Sequence, residues 1–194
     1  MIFTYKVQRA IRFSTKTHEV YQKQKRKGKD IPYITHPLTV GLILARAGAH
    51  EDLIVAGILH DTIEDCPPEK KVTREMLEER FGANVASLVA SVSETTKGLS
   101  WDERKKEARE HIKTFSRDSL LLKAADIVAN TTDIVIDHIC DGDTVFERFN
   151  APKEKTIAHY RAVIALIIER WPDIPFADDF RDIDEKLRTI GEGA

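Results

Sequence analysis

Residues 53–59, Leu53-Ile54-Val55-Ala56-Gly57-Ile58-Leu59, are apolar without a break and run straight into His60-Asp61-Thr62-Ile63-Glu64-Asp65. A helix that is apolar all round is stable only when other elements surround it. If the helix continues, His60 stacks with Glu64 and Asp61 with Asp65, so ligand-type side chains crowd one end of a central helix. Burying that end without a cation is costly. The remainder of the chain must therefore wrap this segment and bring something to its polar end.

What wraps it reads as helix almost throughout. Phe3, Val7, Ala10, Ile11, Ser14, His18 and Tyr21 recur at three- and four-residue spacing and define one amphipathic N-terminal helix. The basic stretch 22–30 and Ile31-Pro32-Tyr33 read as a loop, because Pro32 forces its predecessor to be extended. Pro37 suits the first turn of a helix that stops at Gly48, which places His36 at a helix mouth. Thr73 caps a helix that closes at Gly82, and Val85, Leu88, Val89 and Val92 mark the next. Ser100 with Glu103 forms a capping box that opens a charged helix. From Ser116 a long apolar stretch carries Asp126, Asn130 and Asp133 as a polar stripe, and a further helix runs from Pro152 to Pro172. Phe180, Ile183, Leu187 and Ile190 form a last amphipathic helix, about 177–190, expected to pack back on the N-terminal helix. No alternating run of strand length stands out, so the expected fold is all-α, in a single domain.

Composition narrows the function classes. A chain of 194 residues with 42% hydrophobic and 32% charged residues is neither disordered nor membrane-spanning. Thirty basic against thirty-two acidic residues lack the cationic field of a general nucleic-acid binder. Cys66 and Cys140 are the only cysteines, and no export signal is read at the start, so a reducing cytoplasm is the expected compartment.

Three separate elements can converge on the polar end of the central helix: His36 from the helix mouth, His60 and Asp61, and Asp126 from the downstream apolar helix. Two imidazoles and two carboxylates suit Mn²⁺, Fe²⁺ or Zn²⁺ with open positions. The competing reading of Asp126 is a structural ion pair with Lys123, one turn away.

Several segments together resemble the HD-domain metal-dependent phosphohydrolases, and specifically the hydrolase module of the Rel/SpoT alarmone enzymes. They are Arg26-Lys27-Gly28, Pro32-Tyr33-Ile34-Thr35-His36-Pro37, Ala56-Gly57-Ile58-Leu59-His60-Asp61-Thr62-Ile63-Glu64-Asp65, Phe81-Gly82-Ala83-Asn84-Val85-Ala86 and Lys123-Ala124-Ala125-Asp126-Ile127-Val128-Ala129-Asn130. Trp101 to Lys105 and Phe146 to Asn150 look like small standalone members of that group, so the core motifs cover about residues 10–160.

The resemblance implies an HD-fold helical bundle over 1–194, with one divalent ion, Mn²⁺ by preference, held by His36, His60, Asp61 and Asp126. It implies Glu64 and Asp65 as the acidic pair that handles water and leaving-group protons. Arg26 and Lys27 match a nucleotide-contacting pair, Asn130 a nucleotide-contacting Asn, and Tyr160 a substrate-side Tyr; Lys97 and Arg104 are further candidates for phosphate contacts. The implied reaction removes the 3′-pyrophosphate of ppGpp or pppGpp, giving GDP or GTP. The partner is thus a small nucleotide, with neither nucleic acid nor membrane expected, and the oligomeric state is left open. Ile127 departs from the pattern, because a basic residue usually follows the metal Asp. Alternatives are a phosphatase for NADPH, an adenosine alarmone or a nucleoside monophosphate, and a silent nucleotide-binding module.

Overall fold

The computed structural model describes residues 3–64, 70–94 and 98–193. Among these, nine α-helices and no strand occur; the single β-bridge pairs Lys25 with Pro32 in the basic loop. The helices are α1 (Tyr5–Thr15), α2 (Thr35–Arg46), α3 (Glu51–Leu59), α4 (Arg74–Phe81), α5 (Ala83–Val92), α6 (Trp101–Ile112), α7 (Arg117–Asp141), α8 (Lys153–Arg170) and α9 (Ala177–Glu192), with a π-helix at Lys16–Tyr21 and a 3₁₀ helix at Gly142–Arg148. No described helix is long and apolar enough to cross a membrane. The chain forms two compact units, Met1–Thr95 with Arg117–Ala125, and Thr96–Ser116 with Asp126–Ala194.

In the first unit α3 is central, as its composition requires: every residue from Leu53 to Leu59 is buried, and α1, α2 and α5 pack on it. His50 caps α3 by accepting from the Leu53 amide and reaches Asp118 of α7 through Nε2 at 3.0 Å. Ser91 of α5 bonds Ser119 of α7 at 2.8 Å. The crossing of α2 and α3 depends on two glycines. A Cβ on Gly57 would lie 2.5 Å from Leu44 Cδ1, and one on Gly41 2.7 Å from Ile58 Cγ1, so a side chain at either position would force its neighbour to shift.

The N-terminal helix departs from its single-stripe reading. Thr4 caps α1, so Phe3 lies outside it and is exposed, and the last turn is π. The Gln22 amide bonds the Thr17 carbonyl, five residues back. This wider turn keeps His18 buried with Val7, Ala10 and Ser14 while Tyr21 swings to the half-buried edge.

In the second unit α8 carries α6, α9 and the 3₁₀ helix. Arg170 closes the end of α6, donating to the carbonyls of Ile112 at 2.6 Å and Phe115 at 2.9 Å. There a cation meets the negative end of the helix. Phe180, Ile183, Leu187 and Ile190 of α9 are buried as the spacing predicts, and α9 packs on α8. A connection of only residues 171–176 leaves the preceding helix as the nearest apolar face.

Candidate metal centre

Local chemistry sets the polar end of α3. The α-helix stops at Leu59, and residues 60–64 are turns, with the Thr62 amide bonding the Leu59 carbonyl at 3.0 Å. The helical stacking of His60 on Glu64 expected from spacing is therefore absent. Thr62 also donates its hydroxyl to Leu59 O at 2.7 Å, and this local bond competes with continued helix. The turn releases Glu64 toward the end of α5, where the Glu94 amide donates to its Oε1.

His36, in the first turn of α2, and His60 are each 5% exposed, with ring centroids 5.2 Å apart. Asp126, 8% exposed, is the next residue of α7 after the first unit's stretch 117–125. One potential ligand atom from each of His36, His60 and Asp126 falls within 4.8 Å of the others. The helix crossing allowed by Gly41 and Gly57 is what brings the two histidines together.

The donor set suits a cation. His60 Nδ1 lies 2.8 Å from the Gly57 carbonyl, which only accepts, so the neutral ring carries its lone pair on Nε2. That Nε2 lies 3.0 Å from Asp61 Oδ2, and His36 Nε2 is 3.6 Å from the same oxygen. Two acceptors face each other at bonding distance, an arrangement that a shared proton or metal ion satisfies. The Tyr33 hydroxyl donates to Asp61 Oδ2 at 2.6 Å, fixing the carboxylate, and Asn130 Nδ2 donates to Asp126 Oδ1 at 2.6 Å. His36, His60 and Asp126 thus offer donors that suit one metal ion, with Asp61 facing both histidines. The Lys123 charge acts on Glu64.

Glu64 remains open to solvent as a residue, yet its carboxyl is packed closely enough for its pKa to be pushed up to about 8. Lost hydration is the main cause and the Asp61 charge adds to it, while the Glu94 amide and the Lys123 charge oppose it. Asp65, its expected partner, and Lys97 lie outside the described residues.

Arg26 sits over the Tyr33 ring, 5.8 Å from its centroid, and its backbone is held by Ile31 and Lys29 in the loop. Lys27 is exposed beside it. Asn130 donates to the Asp126 carboxylate. Arg104 on α6 and Tyr160 on α8 are half-buried in the second unit, where Tyr160 packs on His159.

Three contributors escaped the sequence reading: Tyr33, named there without a role, His18 and the Glu94 amide. His18 had been read only as part of a buried stripe. It is fully buried, with Nδ1 2.8 Å from Gln24 Oε1 and its ring 5.0 Å from Tyr33, so it braces the tyrosine that holds Asp61. A polar ring on an apolar stripe was the available signal. The Glu94 amide carried none, since any residue supplies one.

Fold and donor cluster together define an all-helical domain with an interior divalent-metal site. The HD domain family model matches residues 10–134, and the chain belongs to the HD domain family. A guanosine-3′,5′-bis(diphosphate) 3′-pyrophosphohydrolase of Aquifex aeolicus (strain VF5) is 39% identical over 126 residues, which is 64% of this chain and 17% of that protein. The MESH1 guanosine-3′,5′-bis(diphosphate) 3′-pyrophosphohydrolase of Danio rerio is 38% identical over 119 residues, 60% of this chain and 63% of that one. The chain thus spans less than two thirds of the length of either relative. A metazoan orthologue of SpoT, described as hydrolysing ppGpp, shares the fold at a TM-score of 0.78, with 22% identity and coverage of 98% of this chain and 99% of that one.

Proposed function

We propose that this protein is a metal-dependent hydrolase of ppGpp and pppGpp that releases pyrophosphate from the 3′ position and leaves GDP or GTP. The observation that carries this reading is the buried cluster of His36, His60 and Asp126, with Asp61 presented to both histidines. The names of the Aquifex aeolicus and Danio rerio relatives supply the substrate class. Mn²⁺ is the ion we assign, with Fe²⁺ and Zn²⁺ fitting the same donors. When bound, such an ion supplies positive charge to the phosphoryl group as negative charge develops there.

The chain's own residues do the rest. Tyr33 and Asn130 hold the two carboxylates in place. Glu64, whose pKa burial pushes up to about 8 in the metal-free chain, is suited to hold a proton near neutral pH. As water adds to the 3′-linked phosphorus and the ribose oxygen departs, that proton is available to the leaving oxygen. Arg26, with Lys27 beside it, offers a planar cation next to Tyr33 for base or phosphate. Asp65, Lys97, Arg104 and Tyr160 keep their proposed parts in water handling and substrate contact. We read 1–194 as one domain, supported by α7 running unbroken through both units, and place it in the cytoplasm with a free nucleotide as partner.

One observation favours a second substrate. Ile127 is 2% exposed, where a phosphate-neutralising cation usually follows the metal Asp, so NADPH, adenosine alarmones and nucleoside monophosphates belong in the assay. The test is product release from ppGpp with and without Mn²⁺, resolving pyrophosphate from orthophosphate, with Asp126→Ala in parallel. Pyrophosphate released only with metal and only by the unsubstituted protein is the expected result. No turnover in a metal-loaded sample overturns the guanosine assignment.

A further inference from the structure

The first unit holds a cavity of about 460 Å³, lined by Phe13, Lys16, Thr17, Tyr21, Lys70, Lys71, Val72, Met76 and Arg80. Its walls come from the end of α1, the π-helix, the segment before α4, and α4 itself. Lys16, Lys70, Lys71 and Arg80 are cations, and among the described residues of the lining none is a carboxylate. Phe13, Tyr21, Val72 and Met76 supply apolar surface between them. None of the metal-cluster residues lines this cavity.

The cations are not neutralised in the usual way. Lys16 and Lys70 lie over the Tyr21 ring, 5.3 and 4.4 Å from its centroid, and Arg80 lies over Phe13 at 5.3 Å. Among the described residues, Lys16, Lys70, Lys71 and Arg80 form no ion pair. Lys71 is felt at a distance by Glu75, an exposed residue outside the lining. Rings attract ammonium and guanidinium groups but do not cancel their charge, so the cavity keeps a concentrated positive potential.

The π-helix builds this arrangement. In an α-helix, residues five apart diverge by about 140° around the axis. In the wider turn Lys16 and Tyr21 come to one side, and the turn is pinned by the Gln22 amide on the Thr17 carbonyl. The neighbouring His18 points the other way, into the interior toward Gln24 and Tyr33. The π-turn thus makes one wall of this cavity and also buttresses Tyr33 at the metal centre.

We propose that this cavity is a binding site, separate from the metal centre, for a small di- or triphosphate anion, with a nucleotide as its natural form. Cations around the opening match a phosphate chain, and the aromatic and aliphatic surface matches the planar part of a nucleoside. The volume also lies within the range of small-molecule sites and exceeds what phosphate alone fills. The proposal does not depend on the reaction assigned to the metal centre.

Two-dimensional amide NMR of the full chain tests it, with inorganic pyrophosphate and GDP titrated separately into metal-free protein. Saturable shifts are expected at Lys16, Tyr21, Lys70 to Val72 and Arg80. Lys16→Gln with Lys70→Gln should weaken this binding at least tenfold and leave shifts around His36 and Asn130 unchanged. Both substituted side chains are exposed, and unchanged remaining spectra show that the variant is folded. GDP binding more tightly than pyrophosphate confirms the nucleotide form, and equal affinities confirm a polyphosphate site but overturn its nucleotide form. Absence of saturable shifts, or equal binding by the double variant, overturns the site.

Discussion

Tyr33 donates its hydroxyl proton to Asp61 Oδ2 at 2.6 Å, on the oxygen that lies 3.0 Å from His60 Nε2. The bond holds the carboxylate between the two histidines, and its loss leaves Asp61 free to turn. Tyr33→Phe is expected to weaken divalent-metal binding by about tenfold, within the range for partners of metal ligands. Calorimetric titration of metal-free protein with Mn²⁺ measures it, and an unchanged affinity removes Tyr33 from the positioning role.

Gly57 is expected to be the least replaceable residue of the α2 and α3 crossing. Its added Cβ would meet Leu44 Cδ1 at 2.5 Å, and Leu44 is fully buried. Gly57→Ala should cost about 1–3 kcal/mol by overpacking and also weaken metal binding by parting the histidines. Gly191→Ala is the control, since its Cβ would make ordinary contact with Ile157 at 3.6 Å. Urea unfolding of both variants checks the contrast.

The raised pKa of Glu64 has a consequence for stability. A carboxyl that titrates at 4.5 when unfolded and near 8 when folded binds more protons in the folded state between those values. Its contribution is therefore fully present below pH 4.5 and is lost as pH rises toward 8. Metal-free protein should lose stability across this window, and Glu64→Gln should flatten the slope. Chemical unfolding at pH 5, 6.5 and 8 reads the difference, and parallel profiles for the two proteins would contradict the burial of that proton.

Metal should stabilise the fold through the same cluster. A ligand bound only by the folded state at 100 times its dissociation constant adds about 2.7 kcal/mol. Mn²⁺ at that ratio is expected to raise the melting temperature of the native chain, chelator to reverse the gain, and Asp126→Asn to abolish it. Differential scanning calorimetry with and without the ion decides the matter.

The sequence made much of this visible because burial and helix ends leave local marks. The apolar run 53–59 announced the central helix, Thr73 and Ser100 announced caps that form, and the acid and imidazole types at 36, 60, 61 and 126 announced a metal site. Periodicity misled where the helix changed its own geometry. The π-turn after Thr15 shifts every later residue of the N-terminal stripe, and the turn at His60 cancels the stacking with Glu64.

By itself, then, the sequence determined the helical class, the identity of the buried helix and the chemical types of the metal donors, since these follow from hydrophobic pattern and side-chain chemistry along the chain. Only the tertiary structure decided which acceptors meet. The 3.0 Å approach of His60 to Asp61, the bracing of Tyr33 by His18, the Glu94 amide on Glu64 and the cationic cavity beside the π-turn are such decisions. They depend on how closely helices cross and on where a turn replaces a helix, and those quantities are set by packing between segments distant in sequence.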